Sequence, residues 1–280
     1  MSNLKNRKIK NSIFKSLVVI FALASAVPLL IILFFITKEG ISSLNLNFLF
    51  SLPKPVGETG GGIANAIVGT FILIIIATVI SVPTGIAIGI FLNEYKKHKL
   101  SYYTRLCVNI LQGTPSIVIG MIAYLWIVKQ IGSFSAFSGG IALSIMMLPV
   151  IITSTEETLK LLPYSLKESA YALGIPYYAT ILKVVLPAGI NGILTGVMLS
   201  VARVAGETAP LLFTAFGSPF MNLDIMKPVS SLPHVIFTYA TSPYNEFHSL
   251  AWGASFVLIA FVLIMNISAK MISKRWKVKF

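Results

Sequence analysis

Apolar residues come along this chain in long unbroken blocks, with polar residues gathered between them. The blocks cover residues 17–37, 63–92, 107–128, 139–152, 188–216 and 250–272. Most approach or exceed the roughly 20 residues needed to cross a bilayer as a helix. The pattern therefore predicts an all-α, polytopic membrane protein with six transmembrane helices. The second and fifth blocks are longer than a crossing requires, which predicts tilt or kinks. Pro83 with Gly85, and Gly113 with Pro115, are the candidate kinks, because proline removes a backbone donor inside a helix.

Composition agrees with this reading. Hydrophobic residues make up 56% of the chain and charged residues only 11%, against about 25% charged in a soluble domain. The net charge of +13 would point to nucleic acid in a soluble protein. Here its placement explains it. "KNRKIKN" precedes the first block and "KRWKVK" follows the last, and Lys96, Lys97, Lys99, Arg105, Lys160, Lys167 and Lys183 fall on the same side of a six-span chain. The other side holds Lys38, Lys54 and Lys227, with Lys129 near a boundary. That asymmetry predicts both termini in the cytoplasm and gives no reason to invoke nucleic acid. Cys107 is the single cysteine, and His98, His234 and His248 are scattered. No disulfide, metal site or resident cofactor is expected in this chain. The first block runs on without a small-residue cleavage site and reads as retained. Of the outer loops, residues 38–62 are rich in turn residues. Residues 217–249 include the apolar "SSLPHVIFTYA", which either dips into the bilayer or packs on the helix ends.

The long cytoplasmic connection, residues 156–187, reads as a short helix with defined ends. Ser165 followed by Glu168 fits a capping box. Gly174 sits where a left-handed cap is wanted, and Pro176 stops continuation. A helix of about two turns is marginal alone. It presents Ala170, Tyr171, Leu173, Tyr177 and Tyr178, so it packs either on its own bundle or in a groove of a partner.

"ESAYALG" and the later "VVLP" resemble the EAA-type signature of binding-protein-dependent ABC importer permeases, carried here by Glu168, Ala170, Gly174, Val184, Leu186 and Pro187. The resemblance implies that this loop couples the chain to a cytoplasmic ATPase. The chain has no G-x-x-x-x-G-K-[ST] phosphate loop, so ATP and Mg belong to that separate subunit and the chain itself is not an enzyme. "GGGIANAIVGT", "LQGTPSIVIG", "GILTGVMLSVARVAGETAPLLFTAFG" and "LPHVIFTYATSPY" narrow the resemblance to the permeases of the phosphate-specific ABC importer. It covers most of the chain from about residue 60 onward. It implies the type I ABC importer permease fold, with residues 1–62 as an N-terminal span and external loop, 63–272 as a permease core of five helices, and 273–280 as a basic cytoplasmic tail. It also implies a sister permease in a heterodimer, two ATPase subunits and an external phosphate-binding protein, all at the inner membrane.

The fifth block carries two charges, Arg203 and Glu207. A charge at mid-membrane costs about 2.5–3.5 kcal/mol on insertion scales. As a continuous helix, the block would put both side chains on one face, one turn apart and able to pair. Two readings stand: a structural clamp, or a substrate pathway in which the arginine fork meets an oxyanion. The family resemblance favours the pathway. Thr208, Thr114 and Ser116 are candidate hydroxyl donors beside it, with satisfaction of backbone freed by Pro115 and Pro210 as the blander role. Alternatives to phosphate import are a type I ABC permease for sulfate or molybdate, or an ion-coupled secondary transporter using Arg203 and Glu207 as a proton relay.

Overall fold

The computed structural model describes residues 2–58 and 60–275, so part of the expected basic tail, from residue 276 on, lies outside the described residues. The first long helix is α1 (Ser2–Ser42), followed by the short α2 (Leu46–Phe50), α3 (Ala64–Glu94) and α4 (Lys99–Gly113). Next come α5 (Ser116–Ala123), a π-helical stretch (Tyr124–Val128) and α6 (Lys129–Ile131), which run on as one rod. Then come α7 (Ala136–Lys160) and α8 (Ser165–Ala172). A second continuous rod is built from α9 (Tyr177–Thr180), a π-helical stretch (Ile181–Val185) and α10 (Leu186–Val204). The one-turn α11 (Ala209–Leu212), α12 (Leu232–Ala240) and α13 (Asn245–Arg275) complete the described residues. Among the described residues, five helices are long and apolar enough to cross a membrane, and the bent pair Lys99–Gly113 and Ser116–Ile131 makes six if it counts as one span.

Lipid tails are as apolar as leucine, so contact between spans comes from close packing through small residues. α3 and α7 are the central pair and run parallel. Gly85 lies against Ile151, Gly89 against Thr155 and Gly140 against Ile76. α10 runs antiparallel to α7 through a second set of glycines. Leu73, Ala77, Met146, Met147, Val201 and Val204 form the main core between these three helices. α13 packs on α10, α12 and α1, with Gly40 seated against Trp252 and Phe256. The segment "SSLPHVIFTYA" becomes α12. Its Leu232 and Val235 pack with Phe48, Ile63, Ala66 and Ala254, so it covers the helix ends away from α8.

Three sequence expectations are corrected. The third block is bent far more sharply than a kink. The chain turns by 107° between α4 and α5, because Pro115 removes an amide donor and holds extended geometry (φ −58°, ψ 138°). The fifth block is not a continuous helix. α10 ends at Val204, and residues 205–208 form a break before α11. The capping box at Ser165 is not formed. Tyr164 is the cap, in helical geometry and without a side-chain bond. Lys167 and Glu168 donate their amides to Tyr164 O, which leaves Ser165 inside the first turn.

Candidate functional site

The break after α10 is the chemically distinctive part of the molecule. Its depth follows from the register of α10 on α7. Gly196 rests against Ser154 and Gly192 against Thr158, and Ser154 Oγ donates to Gly192 O at 3.3 Å. Counting seven residues on from Gly196 and seven back from Ser154 brings Arg203 level with Met147. Val204 and Ala205 share a core cluster with Met146 and Met147, as that register requires. At 1.5 Å per residue, Met147 is about 16 Å from the Ala136 end of α7 and about 20 Å from the Lys160 end. Arg203 is therefore near mid-membrane. α10 stops there, and the short α11 follows the break. Irregular backbone at membrane depth is tolerated where it is covered by protein or lines a cavity.

Arg203 occupies the last turn of α10, where the helix dipole favours a cation. Its Nε lies 3.9 Å from Glu207 Oε1, and the two side chains are 51% and 19% exposed. The pairing survives, but Glu207 sits in the break, past the end of the helix. It reaches back because the turn is closed by Gly206 N donating to Arg203 O at 3.3 Å and Glu207 N donating to Val204 O at 3.1 Å. Arg203 continues an exposed stripe with Thr195 and Leu199 along one face of α10, on the side away from the core.

A Cβ placed on Gly120 would come within 2.6 Å of Pro210 Cα. That close approach sets the break at residues 114–115 beside the break at residues 205–208, with Ser116 about 6 Å along α5 from Gly120 at 1.5 Å per residue. Thr114 uses its hydroxyl on its own helix, donating to Ile110 O at 2.7 Å, so it satisfies backbone at the end of α4. Ser116 is the first residue of α5. Thr208 contributes backbone, its carbonyl accepting from Leu211 N at 3.1 Å and Leu212 N at 3.2 Å.

At the other functional end, α8 closes with a Schellman motif. Gly174 has φ +71°, Gly174 N donates to Tyr171 O at 2.9 Å, and Ile175 N donates to Ala170 O at 3.1 Å. Ala170 is buried and faces the bundle, so it belongs to the inner side of this helix and not to the docking face expected for it. Glu168 and Gly174 are exposed, as is Leu173 at 79%. Leu186 packs into the cluster of Leu159, Ile181, Val185 and Ile193, and Pro187 begins α10 as an exposed first-turn proline. Leu161, Tyr164, Leu173 and Tyr178 form the exposed apolar surface of this end.

The sequence reading missed the ion pairs that hold α8 and α4 to the bundle. Glu94, at the end of α3, pairs with Lys167 of α8 and accepts from Tyr177 Oη at 3.3 Å. Glu156 pairs with Arg105 of α4 at 2.7 Å and with Lys160 at 3.0 Å. With only nine carboxylates in the chain, each one at a span end is a signal for a basic partner. The end of the bundle away from α8 carries a 230 Å³ cavity lined in part by Asn65, Ser218 and His234. Asn65 Nδ2 donates to Ser218 O at 2.6 Å. Burial pushes the His234 imidazole below its ordinary pKa, towards the neutral form.

Residues 85–278 match the family model described as binding-protein-dependent transport system inner membrane component. The phosphate transport system permease protein PstA of Yersinia pestis is 43% identical, over 88% of this chain and 84% of that one. The protein of the same name from Pasteurella multocida is 39% identical over 94% of both chains, and PstA 1 of Mycobacterium tuberculosis is 36% identical over 95% of this chain. Among solved structures, an inward-facing MetNI methionine ABC transporter chain superposes with a TM-score of 0.63 at 19% identity, covering 78% of this chain and 95% of that one. That likeness supports the fold.

Proposed function

This chain belongs to the binding-protein-dependent inner-membrane transport components, and within them to the PstA-type permeases, and we propose that it passes inorganic phosphate across the cytoplasmic membrane as one half of an ATP-driven importer. It is a multi-pass membrane protein and a transport component rather than an enzyme. ATP and Mg act on a separate ATPase subunit. The observation that carries the substrate assignment is Arg203. It is half-exposed at mid-depth beside a helix break, in a chain whose relatives are named for phosphate transport.

The pathway lies against the exposed stripe of α10, with a sister permease closing the other side. Arg203 meets the anion with its planar fork, which matches phosphate oxygens bidentately. Glu207 partners Arg203 when the path is empty, so that no lone charge stays at mid-membrane. Binding is then an exchange of partners at one guanidinium and need not be tight. Thr208, Thr114 and Ser116 line the two adjoining breaks, chiefly as backbone support. Two ATPase subunits dock on the ends of the two permeases. On this chain the surface is Glu168, Leu173 and Gly174, with Ala170, Leu186 and Pro187 fixing α8 from behind. An external phosphate-binding protein meets the outer loops. Both termini are cytoplasmic, on the side with most of the lysines and arginines. ATP-driven movement of α8 is passed to α3 through Glu94 and to α10 through the second rod, and this alternates access to Arg203. Uptake of labelled phosphate and labelled sulfate, in cells with and without this chain, tests the assignment. Loss of phosphate uptake alone is the expected result, and loss of sulfate uptake alone would contradict it.

A further inference from the structure

We propose that α4 is a lipid-binding helix that lies in the membrane interface on the coupling-loop side and selects anionic phospholipid headgroups. The orientation comes from its contacts. Arg105 Nη2 donates to Glu156 Oε1 at 2.7 Å and to Leu92 O at 2.9 Å, and Gln112 Nε2 donates to Thr153 Oγ1 at 3.1 Å. Between Arg105 and Gln112, α4 advances about 10 Å along its own axis, while its partner on α7 shifts by only about 4–5 Å. The helix therefore lies closer to the membrane plane than to the normal, and α5 turns away from it by 107° into the bilayer. Glu156 stands about one turn from the end of α7 at Lys160, near the level where headgroups meet acyl chains, and Thr153 stands about one turn deeper, so α4 slopes from the interface at Lys99 into the acyl region at Gly113.

The faces of α4 are reversed from those of a helix on a water-soluble protein. Ser101 and Arg105 turn inward, Ser101 donating to Tyr95 O at 2.7 Å and Arg105 making the bonds above, while Asn109 and Gln112 towards its C-terminal end are exposed. Its outward face is Leu100, Tyr102, Tyr103, Leu106 and Ile110, with Tyr102 67% and Ile110 59% exposed. Tyrosine beside aliphatic residues is the composition of a membrane-interface helix. The exposed Lys96, Lys97 and Lys99 stand at or just before its N-terminal end, and no carboxylate occurs from residue 95 to residue 113. Glu94 pairs with Lys167, and Glu156 pairs with Arg105 of α4 itself and with Lys160. An apolar face at acyl depth beside uncompensated lysines complements anionic headgroups and gives no such preference for zwitterionic ones.

Cys107, the chain's single cysteine, is exposed on this helix and serves as the reporter. It would be labelled with bimane in the assembled complex, with partner chains free of reactive thiols. The complex would be placed in phosphatidylcholine nanodiscs containing equal fractions of dibrominated phosphatidylcholine or dibrominated phosphatidylglycerol. Both lipids should quench the label, with the anionic lipid effective at about a threefold or greater lower fraction, as expected for lysines at a charged surface. The preference should vanish in the Lys96→Gln, Lys97→Gln, Lys99→Gln variant. Equal quenching by both lipids in the wild-type complex would overturn the headgroup selectivity, and so would a preference that survives the triple variant. No quenching by either lipid would show that a sister chain covers this face, and quenching by aqueous iodide would show that it faces water. Either result overturns the proposal.

Discussion

Replacing Gly174 tests whether the end of α8 is fixed by its backbone. Gly174 has φ +71°, and a Cβ added there meets nothing within 4 Å, so a substitution acts through conformation and not through a clash. A non-glycine residue in the left-handed region costs about 1–2 kcal/mol, and asparagine is among the few that visit it readily. The two Schellman bonds that the conformation permits are worth about 1 kcal/mol each. A valine penalty is therefore comparable to all that holds this helix end, and the cap should open without disturbing the core. The assay is phosphate-stimulated ATP hydrolysis by the purified complex, with the amount of co-purified ATPase as a second reading. Gly174→Asn should remain near normal, Gly174→Ala should lose part of the coupling, and Gly174→Val should lose most of it while still inserting. Full activity in the valine variant would refute the reasoning. An asparagine variant as poor as valine would also refute it, since conformation would then not be the cause.

Gly196→Ala should lower the thermal stability of the complex in detergent, by about 1–3 kcal/mol of overpacking, because its new methyl meets Ser154; Ser154→Gly in the same chain should restore part of the loss. The depressed pKa of His234 means that folding favours the neutral ring. That contribution is present above the ordinary value of 6.5 and is lost as pH falls through the lower folded value. Proteolysis of the outer loop should therefore quicken on acidification below about pH 6.5, and much less so in His234→Gln. A cysteine at Leu223, exposed in the outer loop, should react with an impermeant thiol reagent added outside intact inner membranes. Labelling only after the membrane is broken would reverse the proposed orientation.

Most of the spans were legible as long apolar blocks, and the end of α8 was legible because Gly174 and Pro176 admit few other conformations. The break at residues 205–208 was hidden by composition. The apolar block runs straight through it, and only Gly206 and Pro210 hint that the helix stops. Arg203 and Glu207 were found as charges out of place, yet their geometry followed from the break and not from four-residue spacing on one helix. Ser165 carried a capping signature that Tyr164 pre-empted by entering helical geometry one residue earlier. α4 misled the hydropathy reading for a different reason. Its polar face points at Glu156 and Thr153, partners distant in sequence, so its apolar residues were merged with those of α5 into one straight span.

Arg203 decides the central claim. At 3.9 Å from Glu207, its attraction amounts to about 1 kcal/mol in water and about 4 kcal/mol at an effective dielectric of 20. Half-exposure of Arg203 places the pair towards the lower figure. A clamp of that strength is dispensable to the fold, so the pair can be removed and function read directly. The measurement is labelled phosphate uptake by cells carrying the Arg203→Met, Glu207→Leu double variant at matched expression, with Arg203→Gln and Arg203→Lys alongside. The account predicts that the double variant assembles yet scarcely transports, that Arg203→Gln fails similarly, and that Arg203→Lys recovers only part because the bidentate fork is gone. Near-normal uptake by the double variant would contradict it and would leave Arg203 and Glu207 as a structural pair.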